Sequence, residues 1–174
     1  DTMRGFTNGH EKSPFVLTPQ EAEAIFNTDH PDVESIVTKY TTDPYWRNSI
    51  QLTIMTTSPY SNMILDELAR VGLPKEVIYL GMHESAGNYK AKSHKAAMGF
   101  WQYMEETAKE DGLRIDDWVD ERRDVYKATK AAAARIRRHY DALQDIFLAM
   151  MSFNRGLGGI RNDTLNKKVY KYSV

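Results

Sequence analysis

The chain has 174 residues, with 23 lysines and arginines against 24 aspartates and glutamates, and its formal net charge is −1. This length suits one domain with a hydrophobic core, and the balanced charge excludes a general attraction to nucleic acid or anionic membranes. The sequence has no cysteine, which excludes disulfides and thiolate metal sites. No apolar run approaches the roughly 18 to 20 residues of a membrane-spanning helix, so we expect no transmembrane segment in this chain.

The N-terminal residues are polar and show no hydrophobic period before Thr18, where a helix-start pattern appears. Thr18 suits the N-cap, Pro19 suits the first helical position, and Glu21 stands three residues after the cap. We therefore assign residues 1–30 to an arm with a short helix, and residues 31–174 to the domain.

The rest of the chain is predicted to form successive helices separated by short polar, Gly or Pro stops. Apolar residues recur at helical spacing, and no convincing alternation typical of strands is present. The predicted helical stretches are VESIVTKY, YWRNSIQLTIMTT, PYSNMILDELARVG, PKEVIYLGMHE, GFWQYMEETAKEDG, RRDVYKATKAAAARIRRHY and DIFLAMMSFN. The predicted fold class is all-α, with helices packed on helices.

A single acid, Glu84, stands at the end of the apolar stretch PKEVIYLGMHE. Carboxylates are seldom buried unless they are paired or used in chemistry. Desolvation raises the pKa of a carboxyl group toward the range in which it donates a proton at neutral pH. The alternative is an ordinary acid at a helix C-terminus that faces water, and the local sequence leaves both interpretations open.

The segment after this helix carries residue types that bind sugars. Ser93 offers a hydroxyl, Gly99 permits close approach, Trp101 offers a flat apolar ring and Gln102 offers an amide. Trp101 is equally compatible with a place in the core. Asn154 ends a later apolar stretch, where it either caps the helix or supplies an amide to the same site.

Metal and nucleic-acid sites are disfavoured by residue spacing. His83 and His94 do not form the His-Glu-x-x-His pattern that places two ligands on one helical face, so we expect no metal and no cofactor. In the basic stretch that ends at Tyr140, the apolar positions from Ala128 onward share one stripe. This pattern predicts a core helix with a solvated basic face rather than a nucleic-acid surface.

Taken together, these stretches resemble a known family. The sequence contains an E-S pair, an A-x-S, a G-F-W-Q, an R-D-x-x-x-A-T followed by an Ala-rich helix, and S-F-N-R-G where the family has A-Y-N-x-G. It resembles the lytic transglycosylase catalytic domain of glycoside hydrolase family 23, most of all the membrane-bound type D, from about His30 to Gly159. The resemblance implies a lysozyme-like helical fold and cleavage of the β-1,4 bond between N-acetylmuramic acid and N-acetylglucosamine in peptidoglycan.

The resemblance also implies roles for individual residues. Glu84 matches the family's catalytic acid, while Ser93 and Gln102 match polar residues that contact the substrate. The residues expected to contact or flank the glycan are Ser93, Gly99, Trp101, Gln102, Met104, Phe153, Asn154 and Tyr170. Gly99 is expected to let the chain approach the sugar, and Tyr170 corresponds to a Tyr near the end of the family's domain.

Two positions depart from the family pattern. Phe153 replaces the Tyr of the last motif, so a phenol hydroxyl that usually lies near the acid is missing. Lys95 and Ala96 replace a pair of small residues and add bulk and charge, which makes Lys95 a candidate for specificity.

The resemblance predicts a reaction that needs one carboxylate. Glu84 would protonate the glycosidic oxygen and then act as a base toward the muramic acid O6, giving 1,6-anhydro ends without water, whereas most glycosidases use two carboxylates. A hydrolytic lysozyme is the close alternative, with a second acid that positions water. The acids nearest in sequence are Glu105, Glu106, Asp111 and Glu121.

A non-catalytic module that binds glycan strands or another wall protein is the alternative from a different class. In either case the expected partner is peptidoglycan and not nucleic acid, and we expect a monomer. The substrate implies a periplasmic or secreted location, with any anchor on a segment outside this sequence.

Overall fold

A computed structural model describes residues 31–165 of the chain. The short helix expected after Thr18 and the Tyr170 match lie outside the described residues. The α-helices, in chain order, are α1 Pro31–Thr42, α2 Pro44–Thr57, α3 Ser61–Arg70, α4 Ile78–Ser85, α5 Glu105–Glu110, α6 Val125–Leu143, α7 Ile146–Arg155 and α8 Leu157–Leu165. Three 3₁₀ turns, Ser58–Tyr60, Lys75–Val77 and Glu121–Arg123, connect them. The predicted all-α class is confirmed.

Helix α6 forms the centre of the core and packs against α3 and α7. Asp124 caps its N-terminus by accepting a hydrogen bond from the Lys127 N–H, and Gln144 ends it in a left-handed conformation. Ala128 and Ile136 on its inner face are fully buried, and small alanines there let the neighbouring helices approach closely. The predicted core helix with a charged outer face is confirmed.

The two N-terminal helices form a hairpin that joins the rest of the fold through α2, which contacts α4. Asp43 caps α2 by accepting hydrogen bonds from the backbone N–H groups of Tyr45 and Trp46. None of the residues of α1 is buried. Across residues 31–165, no helix combines the length and apolarity needed to cross a membrane.

The prediction of a helix that begins at Gly99 is wrong, because α5 begins only at Glu105. Residues 91–104 instead form tight turns joined by the isolated antiparallel bridges Lys92–Met98 and Met98–Tyr103. Gly99 and Gln102 have φ angles of 81° and 49°, which are incompatible with a right-handed helix. The helical pattern of apolar residues misled the prediction because these side chains enter the core from turns.

Candidate active site

Glu84 lies in the last turn of α4 and is half-buried. The helix ends there because Ala86 adopts a left-handed conformation with φ 51°. Two contacts fix this end of α4. The Thr56 hydroxyl of α2 donates a hydrogen bond to the Ala86 carbonyl at 3.1 Å. Gly81 lies against the Phe100 ring, where an added Cβ would stand 2.1 Å from Phe100 Cε1. The acid is therefore held by α2 and the core.

Asn154 of α7 forms a hydrogen bond with this acid. Its side-chain Nδ2 donates to Glu84 Oε1 at 2.6 Å, joining residues 70 positions apart in the sequence. The helix continues to Arg155 and is capped by Gly156, so the alternative of Asn154 as a helix cap does not apply. The structure thus brings together two predicted site residues. The second carboxylate oxygen of Glu84, Oε2, does not take part in this hydrogen bond.

Phe153 is half-buried beside Asn154 and packs between two core aromatic rings. Its ring centroid lies 6.0 Å from that of Trp101 and 5.4 Å from that of Tyr103, both in edge-to-face geometry. Such pairs contribute about 0.5–1.5 kcal/mol beyond the burial of area. Phe153 therefore anchors the end of α7 that carries Asn154.

The interpretation of Trp101 as a sugar-stacking ring is wrong, because its side chain is 0% exposed. Its indole Nε1 donates to the Thr129 hydroxyl of α6 at 2.9 Å, which satisfies the buried donor. Trp101 is a core residue that supports Phe153. Thr129 was not singled out from the sequence, although the family-like R-D-x-x-x-A-T pattern contains it.

Gly99 is also a packing residue, and the expectation that it lets the chain approach the glycan is wrong. It is buried with φ 81°, and an added Cβ would stand 1.8 Å from the Arg122 carbonyl oxygen. The side chain of Gln102 holds the same turn, because its Nε2 donates to the carbonyls of Gly99 at 2.8 Å and Ala91 at 3.3 Å. The amide nitrogen of Gln102 is therefore engaged by backbone.

The other predicted glycan contacts lie on the surface or in a tight turn. The Ser93 hydroxyl accepts a hydrogen bond from the Ala97 N–H at 3.0 Å and closes a short hairpin. Lys95 is exposed at the tip of this hairpin. Met104 is 46% exposed immediately before α5. The glycan contacts expected of Ser93, Lys95 and Met104 stay predictions.

Arg122, which the sequence reading missed, joins the turns around this region. Its side chain is 6% exposed and forms a two-point ion pair with Asp120 at 2.7 and 2.8 Å. It also donates to the carbonyls of Ala96 at 3.1 Å and Tyr103 at 3.3 Å. The hydrogen bond from Arg122 lowers the pKa of Asp120. An arginine in the run DERRD gives no sequence signal that it is the buried one.

A second ionic cluster lies behind Phe153. Asp111, whose side chain is 1% exposed, accepts hydrogen bonds from Tyr103 Oη at 3.0 Å, Arg135 Nη1 at 3.0 Å and Arg138 Nη2 at 2.6 Å. Burial and the neighbouring Asp111 raise the pKa of Tyr103 above its usual range. This cluster fixes the ring on which Phe153 packs.

His139 follows Arg138 in α6 and is buried against α7. Its Nδ1 lies 2.5 Å from the Ser152 hydroxyl, which itself donates to the Ala149 carbonyl at 2.7 Å. Burial, with the nearby charges of Arg135 and Arg138, lowers the pKa of His139 to about 4. A neutral imidazole thus joins the two helices. Among residues 31–165, no group of three or more His, Asp or Glu side chains is arranged to hold a metal ion.

Comparison with known proteins gives the class to which this site belongs. Residues 62–173 match the family model described as the Transglycosylase SLT domain, and the chain belongs to this family. The family resemblance recognised from the sequence motifs is therefore confirmed.

Two relatives illustrate the similarity. The chain is 31% identical over 132 residues to the "Putative tributyltin chloride resistance protein" of Alteromonas sp. (strain M-1), covering 74% of this chain and 60% of that protein. It is also 31% identical over 121 residues to the membrane-bound lytic murein transglycosylase D of Escherichia coli (strain K12), covering 67% of this chain and 26% of that protein. The chain thus spans less than two thirds of the length of either relative.

Proposed function

We propose that this chain is a peptidoglycan lytic transglycosylase domain that cleaves the β-1,4 bond between N-acetylmuramic acid and N-acetylglucosamine, with Glu84 as its catalytic acid and base. The observation that carries the proposal is the hydrogen bond from Asn154 to Glu84 at the end of α4, within a chain of the SLT family. The similarity to the Escherichia coli lytic murein transglycosylase D supports the same substrate.

The geometry gives the two carboxylate oxygens of Glu84 different roles. Because Asn154 donates to Oε1, that oxygen is held in place, and Oε2 is the one that carries the proton toward the substrate. In the first step the proton passes to the glycosidic oxygen, the bond from that oxygen to muramic acid C1 breaks, and the departing N-acetylglucosamine gains a hydroxyl. Positive charge develops on C1 as the bond breaks.

In the second step Glu84, now ionised, accepts the proton of the muramic acid O6 hydroxyl. The O6 oxygen bonds to C1, which closes the 1,6-anhydro ring and restores the protonated acid. No water is consumed, and one carboxylate is sufficient. The hydrogen bond from Asn154 supports the first step, because it stabilises the carboxylate that proton transfer leaves ionised, and it holds the same carboxylate in position for the second step.

The environment of the other acids favours this reaction over hydrolysis, which needs a second carboxylate to position water. Asp111 is enclosed by two arginines and a tyrosine, Glu105 pairs with Lys109 at 2.6 Å, and Glu121 pairs with Lys127. Glu106 is exposed on the first turn of α5. Each of the first three is therefore engaged by a cation, whereas Glu84 bonds to the neutral amide of Asn154.

Mass spectrometry of muropeptides released from purified sacculi tests the proposal. Anhydromuramic ends, each one water lighter than a reducing end, are expected, and reducing ends alone would support the lysozyme alternative instead. A Glu84→Gln variant is expected to release no products while it keeps the helical circular dichroism of the parent. If this variant released muropeptides at the parent rate, Glu84 would not be the catalytic acid. Tight binding of sacculi by the parent without any release would favour a non-catalytic binding module.

The proposed substrate also places the protein in the cell envelope, in the periplasm or secreted, and we propose that it acts there as a monomer. We also propose that residues 31–174 form the catalytic domain. Ser93, Met104 and Lys95 are the exposed or half-buried residues of the 91–104 turns that we retain as glycan contacts.

A further inference from the structure

A hairpin formed by residues 114–121 exposes the indole of Trp118 to solvent. Its two arms are joined by the isolated antiparallel bridge between Ile115 and Asp120, and Trp118 at the tip is 91% exposed. Tryptophan is the largest side chain and is highly buried on average in folded proteins. Core packing therefore does not account for the presence of a nearly fully exposed indole at this position.

The hairpin holds Trp118 in a fixed conformation. Asp116 Oδ1 accepts hydrogen bonds from the N–H groups of Trp118 at 2.9 Å and Val119 at 2.8 Å, and the Asp116 N–H donates to the Val119 carbonyl at 2.8 Å. At the base, Arg114 and Glu121 exchange two further bonds, of 2.8 and 3.0 Å. These bonds order the backbone at the tip, so little backbone entropy is lost when the indole binds a ligand.

The base of the hairpin is attached to the framework of the proposed active site. Arg122, which follows the hairpin, pairs with Asp120 and donates to the carbonyls of Ala96 and Tyr103. Tyr103 in turn packs on Phe153, the residue next to Asn154. A continuous series of buried contacts therefore connects the Trp118 hairpin to the residue that holds Glu84.

We propose that Trp118 is an aromatic platform that stacks on a pyranose ring of the same glycan strand, in addition to the sugars on either side of the bond that Glu84 cleaves. This inference rests on the proposed function. The indole face packs against the C–H face of a sugar. Asp117, exposed beside it, supplies an acceptor for a sugar hydroxyl. N-acetylglucosamine is the favoured ring, because it is neutral and carries neither the lactyl group nor the anionic peptide that muramic acid bears in peptidoglycan.

The surroundings of Trp118 distinguish this ligand from a membrane or a protein partner. Asp117 beside the ring is exposed, while Asp116 pairs with Arg114 and Asp120 pairs with Arg122. Within residues 114–121 the single basic residue is therefore paired, whereas contact with an anionic bilayer requires basic residues available around the aromatic ring. Val119 beside it is half-buried, so the indole does not belong to a continuous apolar patch of its own hairpin. Protein interfaces bury aromatic anchors inside such patches. A single ring flanked by carboxylates suits a neutral sugar.

Binding of N-acetylglucosamine oligomers to a Glu84→Gln protein, which removes turnover, tests the platform. Trp118→Ala in this background is expected to weaken hexamer binding about three- to tenfold in calorimetry and to leave dimer binding unchanged. Trp118→Phe, which keeps a stacking ring, should retain most of the affinity. Tyr45→Ala is the matched control, because Tyr45 is 73% exposed on α2, and it should bind like the parent.

Acrylamide quenching of tryptophan fluorescence provides a second measurement, since Trp101 is buried and Trp46 half-buried. Saturating hexamer should protect the exposed fraction of the emission, and this protection should be absent in Trp118→Phe. Equal hexamer affinity in the parent and Trp118→Ala, no binding by the parent, or protection by anionic vesicles in place of the sugar would each overturn the proposal. The function of Glu84 is tested separately, by product analysis with the unmodified protein.

Discussion

The hydrogen bond between Asn154 and Glu84 leads to a quantitative prediction for an Asn154→Ala variant. Hydrogen bonds to charged groups contribute about 1.5–3 kcal/mol, and the lower end applies because Asn154 is exposed and water can replace part of the contact. A loss of about 1.5 kcal/mol from transition-state stabilisation corresponds to a rate about tenfold lower. We expect this reduction in kcat, because the amide orients the acid rather than the distant sugars.

The initial rate of sacculus clearance, with muropeptide release as a second readout, measures this effect. Asn154→Asp should be slower than Asn154→Ala, because an ionised aspartate cannot donate to Glu84 and adds a like charge beside it. Asn48→Ala, an exposed substitution on α2, is the matched control. Each variant should unfold within a few degrees of the parent. An Asn154→Ala protein that cleaves within twofold of the parent rate would refute the assigned role of this bond.

Three further predictions concern buried residues that stabilise the structure around the proposed active site. Gly99→Ala should lower the free energy of unfolding by about 3 kcal/mol, since the residue has φ 81° and its Cβ would meet a carbonyl oxygen at 1.8 Å. Gly158→Ala, which has open space, should unfold like the parent in the same thermal assay. Asp111→Ala should cost about 3 kcal/mol in urea unfolding, because it leaves the largely buried Arg135 with only the longer 3.7 Å contact to the exposed Glu110; a loss below 1 kcal/mol would contradict this. The pKa of His139 is lowered from 6.5 to about 4 in the folded protein, so the unfolded chain binds a proton on this imidazole more readily. As the pH falls from 6.5 to 4, His139 should therefore lower the free energy of unfolding by up to about 1.4 kcal/mol per pH unit. His139→Gln should flatten that slope, and an unchanged slope would contradict the assignment.

The departures from prediction have one physical cause, which is that sequence spacing does not report which side chain reaches solvent. Trp101 and Gln102 stand side by side in a motif of sugar-binding types, yet one is enclosed by the core and the other holds a turn. Trp118 lies in a short acidic stretch without a family motif, and yet it is 91% exposed. The burial of Trp101 and the position of Gln102 depend on a turn with positive φ at Gly99 and Gln102, to which Arg122 bonds from a distant segment. The exposure of Trp118 depends instead on the tip of its hairpin, where Asp116 accepts two backbone hydrogen bonds.

The sequence by itself determined the helical class, the approximate positions of most helices, the family and the choice of Glu84 and Asn154 as candidates. These conclusions rest on local information: apolar residues at helical spacing, capping residues such as Asp124, and ordered motifs. The tertiary structure alone decided which of these residues meet. The bond from Asn154 to Glu84 forms because α4 and α7 are both positioned by one buried set of rings and charges, in which Trp101, Tyr103 and Phe153 pack together. Contacts between residues so distant in the chain depend on packing in three dimensions, and no local pattern encodes them.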